Sequence, residues 1–209
     1  MKAKHQATEI TEKPKRTAFQ EYSEALVVAV ILAIIIRALL VQAFKIPSGS
    51  MEPTLLVGDH NLVNKFMYGE RIPFTDQRWP QFTTPKRGDV IVFTYPVDRS
   101  KDFIKRVVAV GGDTIEVRGK KVFLNGKEIQ EPYAHYLNDS LIRGQPVTRI
   151  DTKVITIPNG YLFVMGDNRD QSQDSRYWGF VPVKDVKGKA FLIYYSAQHF
   201  PGRLFKLIY

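Results

Sequence analysis

The sequence predicts a mainly β fold: a coiled antiparallel β-sheet domain that follows one N-terminal transmembrane helix. Three observations predict it. Residues 25–36 are apolar at every position, and the run resumes after Arg37 through Ala38, Leu39, Leu40, Val41, Ala43 and Phe44. Beyond it the chain breaks into short β-type runs separated by Gly, Pro, Asn and Asp. Asn125-Gly126, between Lys121-Val122-Phe123-Leu124 and Lys127-Glu128-Ile129, is a two-residue hairpin signature.

The uninterrupted apolar run has 12 residues, a length that also fits a buried core helix or the h-region of a signal peptide. It has no polar face at the helical period, unlike a surface helix of a soluble domain. With residues 19–23 before it and 38–40 after it the helix reaches roughly 20 residues, enough to span a bilayer, and Arg37 near one end can snorkel. No small-residue A-x-A site follows, so the segment is expected to stay attached. Lys2, Lys4, Lys13, Lys15 and Arg16 precede the run, whereas residues 46–64 contain no Lys or Arg. The positive-inside tendency then keeps the N-terminus in the cytoplasm and sends the rest out. The expected division is a disordered cytoplasmic tail at 1–18, interrupted by Pro14, an anchor at 19–40 and an extracytoplasmic β domain at 41–209.

In that domain strands are expected at 89–95, 103–110, 114–117, 122–124, 153–157, 161–165 and 190–195, with no comparably long helical period. Two stretches read as insertions. One is 68–86, rich in Pro, Thr, Gln and aromatics. The other lies within 118–158, where 131–151 shows a strand core only around Leu141-Ile142. The 30 Lys and Arg against 21 Asp and Glu leave a net charge of +9, which suits an anionic surface, either lipid headgroups or nucleic acid. Cysteine is absent, which excludes disulfides, a thiolate nucleophile and Cys-ligated metal.

Three clusters could carry chemistry. Directly after the apolar run stands Ile46-Pro47-Ser48-Gly49-Ser50-Met51-Glu52-Pro53-Thr54-Leu55. Such a sequence can be a plain turn. Its small residues also allow close approach of a substrate backbone to Ser50 and of N–H groups to a developing oxyanion. A serine needs a base, and His5, His60, His135 and His199 each stand without a motif. Lys105 lies in Phe103-Ile104-Lys105-Arg106-Val107-Val108-Ala109-Val110. Strict alternation puts Phe103, Lys105, Val107 and Ala109 on one face and Arg106 on the other. Burial there would lower the amine's pKa and make it a base; the alternative is a lysine snorkelling at a strand end. The third cluster is Gly166-Asp167-Asn168-Arg169-Asp170-Gln171-Ser172-Gln173-Asp174-Ser175-Arg176-Tyr177-Trp178-Gly179. Asp170 and Asp174 beside Arg169 and Arg176 can pair within such a loop and stiffen it. Asp167, Asp170 and Asp174 could also offer oxygen ligands, but their spacing does not fit an EF-hand and two arginines intervene.

Together the clusters resemble the conserved boxes of type I signal peptidases (leader peptidases), Ser-Lys dyad serine proteases. The serine box is residues 47–55, the lysine box 105–113 and the third box 166–182. The resemblance covers almost the whole chain. It implies an endopeptidase of the bacterial inner (plasma) membrane that removes N-terminal signal peptides from exported preproteins. Ser50 would be the nucleophile and Lys105 the general base. Ser48 and the Ser50 N–H would form the oxyanion hole, Ser172 would orient the amine, and Asp174 with Arg176 would support it. The implied partners are signal peptides with small residues at −1 and −3 and membrane lipid, with no nucleic acid; no metal or organic cofactor is implied. Ser50 lies six residues beyond Phe44, about 20 Å of extended chain, so the site would meet a signal peptide where it leaves the membrane. One anchor, where some Gram-negative relatives carry two, and a modest insertion are the departures from the family. Two rivals remain at this stage. One is a self-cleaving regulator similar to the SOS repressors, whose DNA-binding domain is replaced here by an apolar run; the other is a non-catalytic tethered β domain that binds anionic polymer or lipid.

Overall fold

The computed structural model describes residues 17–39, 41–71, 78–79, 82–137 and 151–209. The chain divides into two compact units, Met1–Ile36 and Arg37–Tyr209. The first is described by helix α1 (Ala18–Leu39), whose side chains are described as far as Ala33. Leu26, Val27, Val28, Val30, Ile31 and Leu32 on it are exposed. Among the described residues no helix is long and apolar enough to cross a membrane.

The second unit is mainly antiparallel β. Its strands are β1 (Val41–Lys45), β2 (Asp59–Asn64), β3 (Glu70–Arg71), β4 (Arg78–Trp79), β5 (Val90–Thr94), β6 (Asp102–Val110) and β7 (Thr114–Arg118), followed by β8 (Lys121–Leu124), β9 (Lys127–Glu128), β10 (Ile155–Thr156), β11 (Tyr161–Met165), β12 (Val181–Pro182), β13 (Val186–Ser196) and β14 (Lys206–Leu207). The large sheet has the order β1-β2-β13-β5-β6-β11-β12, with β14 also on β13. A smaller sheet runs β10-β7-β8-β9, and β3 pairs with β4. Four-residue α2 (Ser175–Trp178) is the only α-helix of the second unit among the described residues. The expected Asn-Gly hairpin is present: Leu124 pairs with Lys127, and Asn125 and Gly126 both take positive φ, 52° and 77°, as a type I′ turn requires.

Central strands show continuous apolar runs because both their faces are buried. Val90 and Val92 of β5 enter a core with Ile46, Met51, Leu55, Val63, Ala190, Ile193 and Ile208. Ile91 and Phe93, alternating with them, join Val107, Leu162, Val164, Val181 and Val186 in a second core. A third lies between the sheets, where Ile115, Val117, Val122 and Leu124 meet Val108, Phe163 and Met165. The coil of the large sheet has local causes. The β6–β11 register shifts between Phe163 and Val164, and β13 shifts register at three places, between Val186 and Gly188, Ala190 and Leu192, and Ile193 and Tyr195. Such bulges increase twist. At one of them a Cβ on Gly188 would lie 2.5 Å from Asn64 O, so only glycine lets β13 close on β2.

The bulge corrects the expected alternation of β6. Phe103 and Val107 do share a core, but Ala109, across the shift, joins Val108 in the core between the sheets. The expected strand at 153–157 shrinks to β10, whereas 190–195 extends to the eleven residues of β13. β1 and β2 were not foreseen. The expected strand core at Leu141-Ile142 lies outside the described residues, as do most of the tail and part of the 68–86 insertion.

Candidate active site

Ser50 sits in a short 3-10 turn, Gly49–Met51, directly after β1 and its Ile46-Pro47 exit. Met51 and Leu55, both fully buried, plug the turn into the first core, and the Leu55 N–H donates to Met51 O at 2.9 Å. The serine is thereby held in a position set by packing, only 9% exposed. Lys105 comes from the middle of β6, between β5 and β11, and is 4% exposed. Its Nζ lies 2.6 Å from Ser50 Oγ and donates to Ile104 O at 3.0 Å. It also stands 5.4 Å from the centre of the Phe103 ring. Removal from water lowers its pKa from 10.5 to about 8. Arg176 pushes the same way, while Asp174 and Asp167 oppose it.

The loop after β11 closes the site from behind. A Cβ on Gly166 would lie 2.4 Å from Ser50 O and 2.3 Å from Ser172 Oγ, so the two backbones touch there. The Asn168 N–H donates to Ser50 O at 3.2 Å, and its Nδ2 donates to Gly49 O at 3.1 Å. Asp174 caps α2, accepting from the Arg176 N–H, and its Oδ2 accepts from the Gly166 N–H at 3.0 Å. Arg176 Nε and Nη2 both donate to Asp174 at 2.8 Å.

The structure thus brings Ser50 and Lys105 into contact and pairs Asp174 with Arg176 beside them. Ser48 is exposed at the N-cap of the serine turn, and its side chain makes no capping bond. Ser172 is different. Among the described residues its buried hydroxyl has no hydrogen-bond partner, so the expected bond to the amine is not made, and Lys105 bonds to Ser50 Oγ and Ile104 O. The loop charges also depart from expectation. Asp174 pairs within the loop, but Arg169 reaches out to Glu131 at 2.5 Å, and Asp170 accepts from the Leu137 N–H. The three aspartates considered as metal ligands therefore have other partners, since Asp167 is taken by Arg106.

That last pair was not foreseen. Arg106, next to Lys105 in sequence, is 1% exposed and forks onto Asp167, Nε to Oδ1 at 2.8 Å and Nη2 to Oδ2 at 2.7 Å. Its Nη1 donates to Gly88 O and Tyr209 O, and the Tyr133 ring covers the guanidinium at 4.0 Å. Thr54 Oγ1 donates to Asp167 Oδ2 at 2.5 Å. A signal for this pair existed: a charge in an apolar run buried on both faces must find a counter-charge. His5 lies outside the described residues. The ring of His60 lies against Tyr194 and Tyr195, and His135 contributes backbone bonds to the loop.

A hydroxyl in contact with an amine whose pKa is lowered to about 8 is chemically able to act as a nucleophile with that amine as its base. In comparisons with known proteins, the family described as signal peptidase, peptidase S26, matches residues 19–195. The chain is 39% identical over 211 residues to signal peptidase I of Pseudomonas aeruginosa, covering 87% of this chain and 74% of that one. It is 39% identical over 221 residues to signal peptidase I of Aquifex aeolicus, covering 81% and 82%. A crystal structure of a signal peptidase I from Enterococcus faecalis V583 aligns at 32% identity with a TM-score of 0.40, over 51% of this chain and 97% of that one.

Proposed function

Because the chain belongs to the signal peptidase family, peptidase S26, we infer that it is a serine endopeptidase removing signal peptides from preproteins, with Ser50 as nucleophile and Lys105 as general base. The observation that carries these roles is the 2.6 Å approach of Nζ to Oγ by an amine whose pKa is lowered to about 8. Neutral Lys105 takes the hydroxyl proton as Oγ bonds to the scissile carbonyl carbon. The resulting ammonium returns that proton to the departing amine of the mature protein as the C–N bond breaks. Lys105, neutral again, then draws a proton from water as its oxygen attacks the acyl carbonyl carbon, and returns that proton to Ser50 Oγ as the acyl C–O bond breaks and the cleaved signal peptide leaves. The oxyanion is held by the Ser48 hydroxyl, which is free of capping duty, and by the N–H of Ser50. Asp174 with Arg176 fixes the loop that backs the dyad, and Ser172, buried beside Gly166, orients the Lys105 amine in this reading once its hydroxyl, unbonded among the described residues, turns to it.

Residues 19–40 serve in this reading as a single anchor, with the tail cytoplasmic and residues 41–209 outside the bacterial plasma membrane. What supports it is the exposed apolar surface of α1 from Leu26 to Leu32, which as described falls short of a span and is continued in the sequence by the apolar residues 34–36 and 38–40. Lipid and the signal peptide are then its partners.

Processing of a preprotein by the purified, detergent-solubilised enzyme tests the dyad. Ser50→Ala and Lys105→Ala should each abolish cleavage, while replacing His60, His135 or His199 should leave it intact. Turnover retained by Lys105→Ala would refute the assignment.

A further inference from the structure

Residues 131–137 follow β9 and lie across the loop that backs the dyad. The His135 N–H donates to Asp167 O at 2.7 Å and the Arg169 N–H donates to His135 O at 2.9 Å, a parallel bridge between His135 and Asn168. The Leu137 N–H adds a bond to Asp170 Oδ2 at 2.9 Å. The side chains strengthen this strap. Arg169 Nη1 donates to Glu131 Oε2 at 2.5 Å and contacts the Tyr136 hydroxyl at 3.3 Å. The Tyr133 hydroxyl donates to Glu131 Oε1 at 3.1 Å. The guanidinium and the carboxylate are 1% and 6% exposed.

From Arg169 the connections run inward. Its Nε donates to Gly166 O at 3.2 Å, and its own carbonyl accepts from Arg176 Nη2 at 2.7 Å. Gly166 is thus gripped at both peptide groups, by Asp174 on its N–H and by Arg169 on its carbonyl. It is also the residue whose backbone abuts Ser50 O.

We propose that Glu131 is a positioning residue for the Ser50–Lys105 pair, acting from the strap through Arg169 and the peptide groups of Gly166. The proposal rests on the dyad reading given above. Two of the loop's aspartates cannot take over: Asp167 is committed to Arg106 and Asp174 to Arg176. Arginine cannot shed its charge. Without Glu131, a buried Arg169 turns toward Asp170, releases the Gly166 carbonyl and loosens the wall behind Ser50. The charged groups that act on Lys105 are Asp174, Asp167 and Arg176, and those acting on Arg169 are Glu131 and Tyr136. Loosening admits water to an amine whose pKa is lowered chiefly by its removal from water, so its working pH range moves up.

The test is steady-state cleavage of a preprotein by the full-length enzyme between pH 6 and 10, for wild type, Glu131→Ala and Glu131→Asp, with thermal unfolding alongside. For Glu131→Ala, kcat should fall on the order of 10- to 100-fold, as for a remote change that misplaces reacting groups. KM should stay within about twofold, and the acid limb should move to higher pH. Glu131→Asp keeps the charge but withdraws the acceptor by one methylene. It should recover the unfolding temperature yet keep a several-fold loss of kcat, and it decides the matter if the alanine variant does not fold. Wild-type kcat and acid limb in Glu131→Asp, or a change confined to KM or unfolding temperature, would overturn the proposal. Lys105→Ala in the same assay separates the two readings: if it still cleaves, the dyad itself is wrong, whatever Glu131 does.

Discussion

Replacing Lys105 with methionine should end catalysis and at the same time make the β domain more stable, by an amount that depends on pH. The lysine pKa falls from 10.5 in the free side chain to about 8 in the fold, chiefly through burial. At about 1.4 kcal/mol per unit this displacement corresponds to about 3 kcal/mol. The sign follows from proton counting. Below pH 8 the amine is charged in both folded and unfolded chains, and the fold bears the full cost of burying an ammonium. Between pH 8 and 10.5 the folded amine has lost its proton while the unfolded one keeps it, so stability rises with pH. Above 10.5 both are neutral and the cost is gone. Methionine has similar length and no charge, so its advantage is greatest at pH 6 to 7, up to about 3 kcal/mol less what is lost with the contacts to Ser50 and Ile104 O. It should shrink steadily above pH 8. For a domain of this size the gain is at most about 6 to 12 °C in unfolding temperature at pH 6, readable by thermal melts of both proteins in one detergent at pH 6, 7.5 and 9. The same protonation step appears in the wild-type rate. About a tenth of the amine is neutral at pH 7 and about a hundredth at pH 6, so kcat should rise nearly tenfold across that unit and level off above pH 8. A methionine variant less stable than wild type at pH 6, a pH-independent difference in unfolding temperature, or a flat rate profile would each refute the argument.

Gly166→Ala should cut kcat by on the order of 100-fold, because its Cβ would lie 2.4 Å from Ser50 O, a backbone atom that can yield only by moving the nucleophile; preprotein cleavage near wild-type rate would contradict that contact. Asp167→Asn leaves Arg106 charged at 1% exposure and should destabilise the domain by about 3 to 5 kcal/mol. Urea unfolding checks this, and a loss under about 1 kcal/mol would mean that the guanidinium finds another partner.

How much of this was legible in the sequence depended on the range of the interaction. β5, β6 and β11 were visible because strands buried on both faces are written as apolar runs, and the Asn125-Gly126 turn because its backbone angles demand those residues. Ser50 and Lys105 were legible as a motif, but from the residues alone each retained a bland alternative. β2 was hidden for a physical reason: the residues it buries are Asp59, Asn61 and Val63, so its apolar pattern is nearly absent. Asp59 is tolerated inside because Arg203 forks onto it at 3.0 and 2.7 Å from far along the chain, which local periodicity cannot report. The loop charges failed for the same reason. Proximity suggested that Arg169 pairs within 166–179, yet its partner is Glu131, 38 residues earlier, on a strap whose strand pattern is too short to register.

Asp167 explains why three separated boxes act as one site. Thr54 lies four residues after Ser50, Arg106 adjoins Lys105, and Asp167 adjoins Gly166; the one carboxylate holds both Thr54 and Arg106. Neighbours in a strand project to opposite faces, so gripping Arg106 fixes β6 without touching the amine of Lys105. The same carboxylate fixes the far end of the serine turn through Thr54. Ser50 and Lys105 are therefore referenced to a common point behind the site, and their 2.6 Å separation follows from that anchorage together with the hydrogen bond between them.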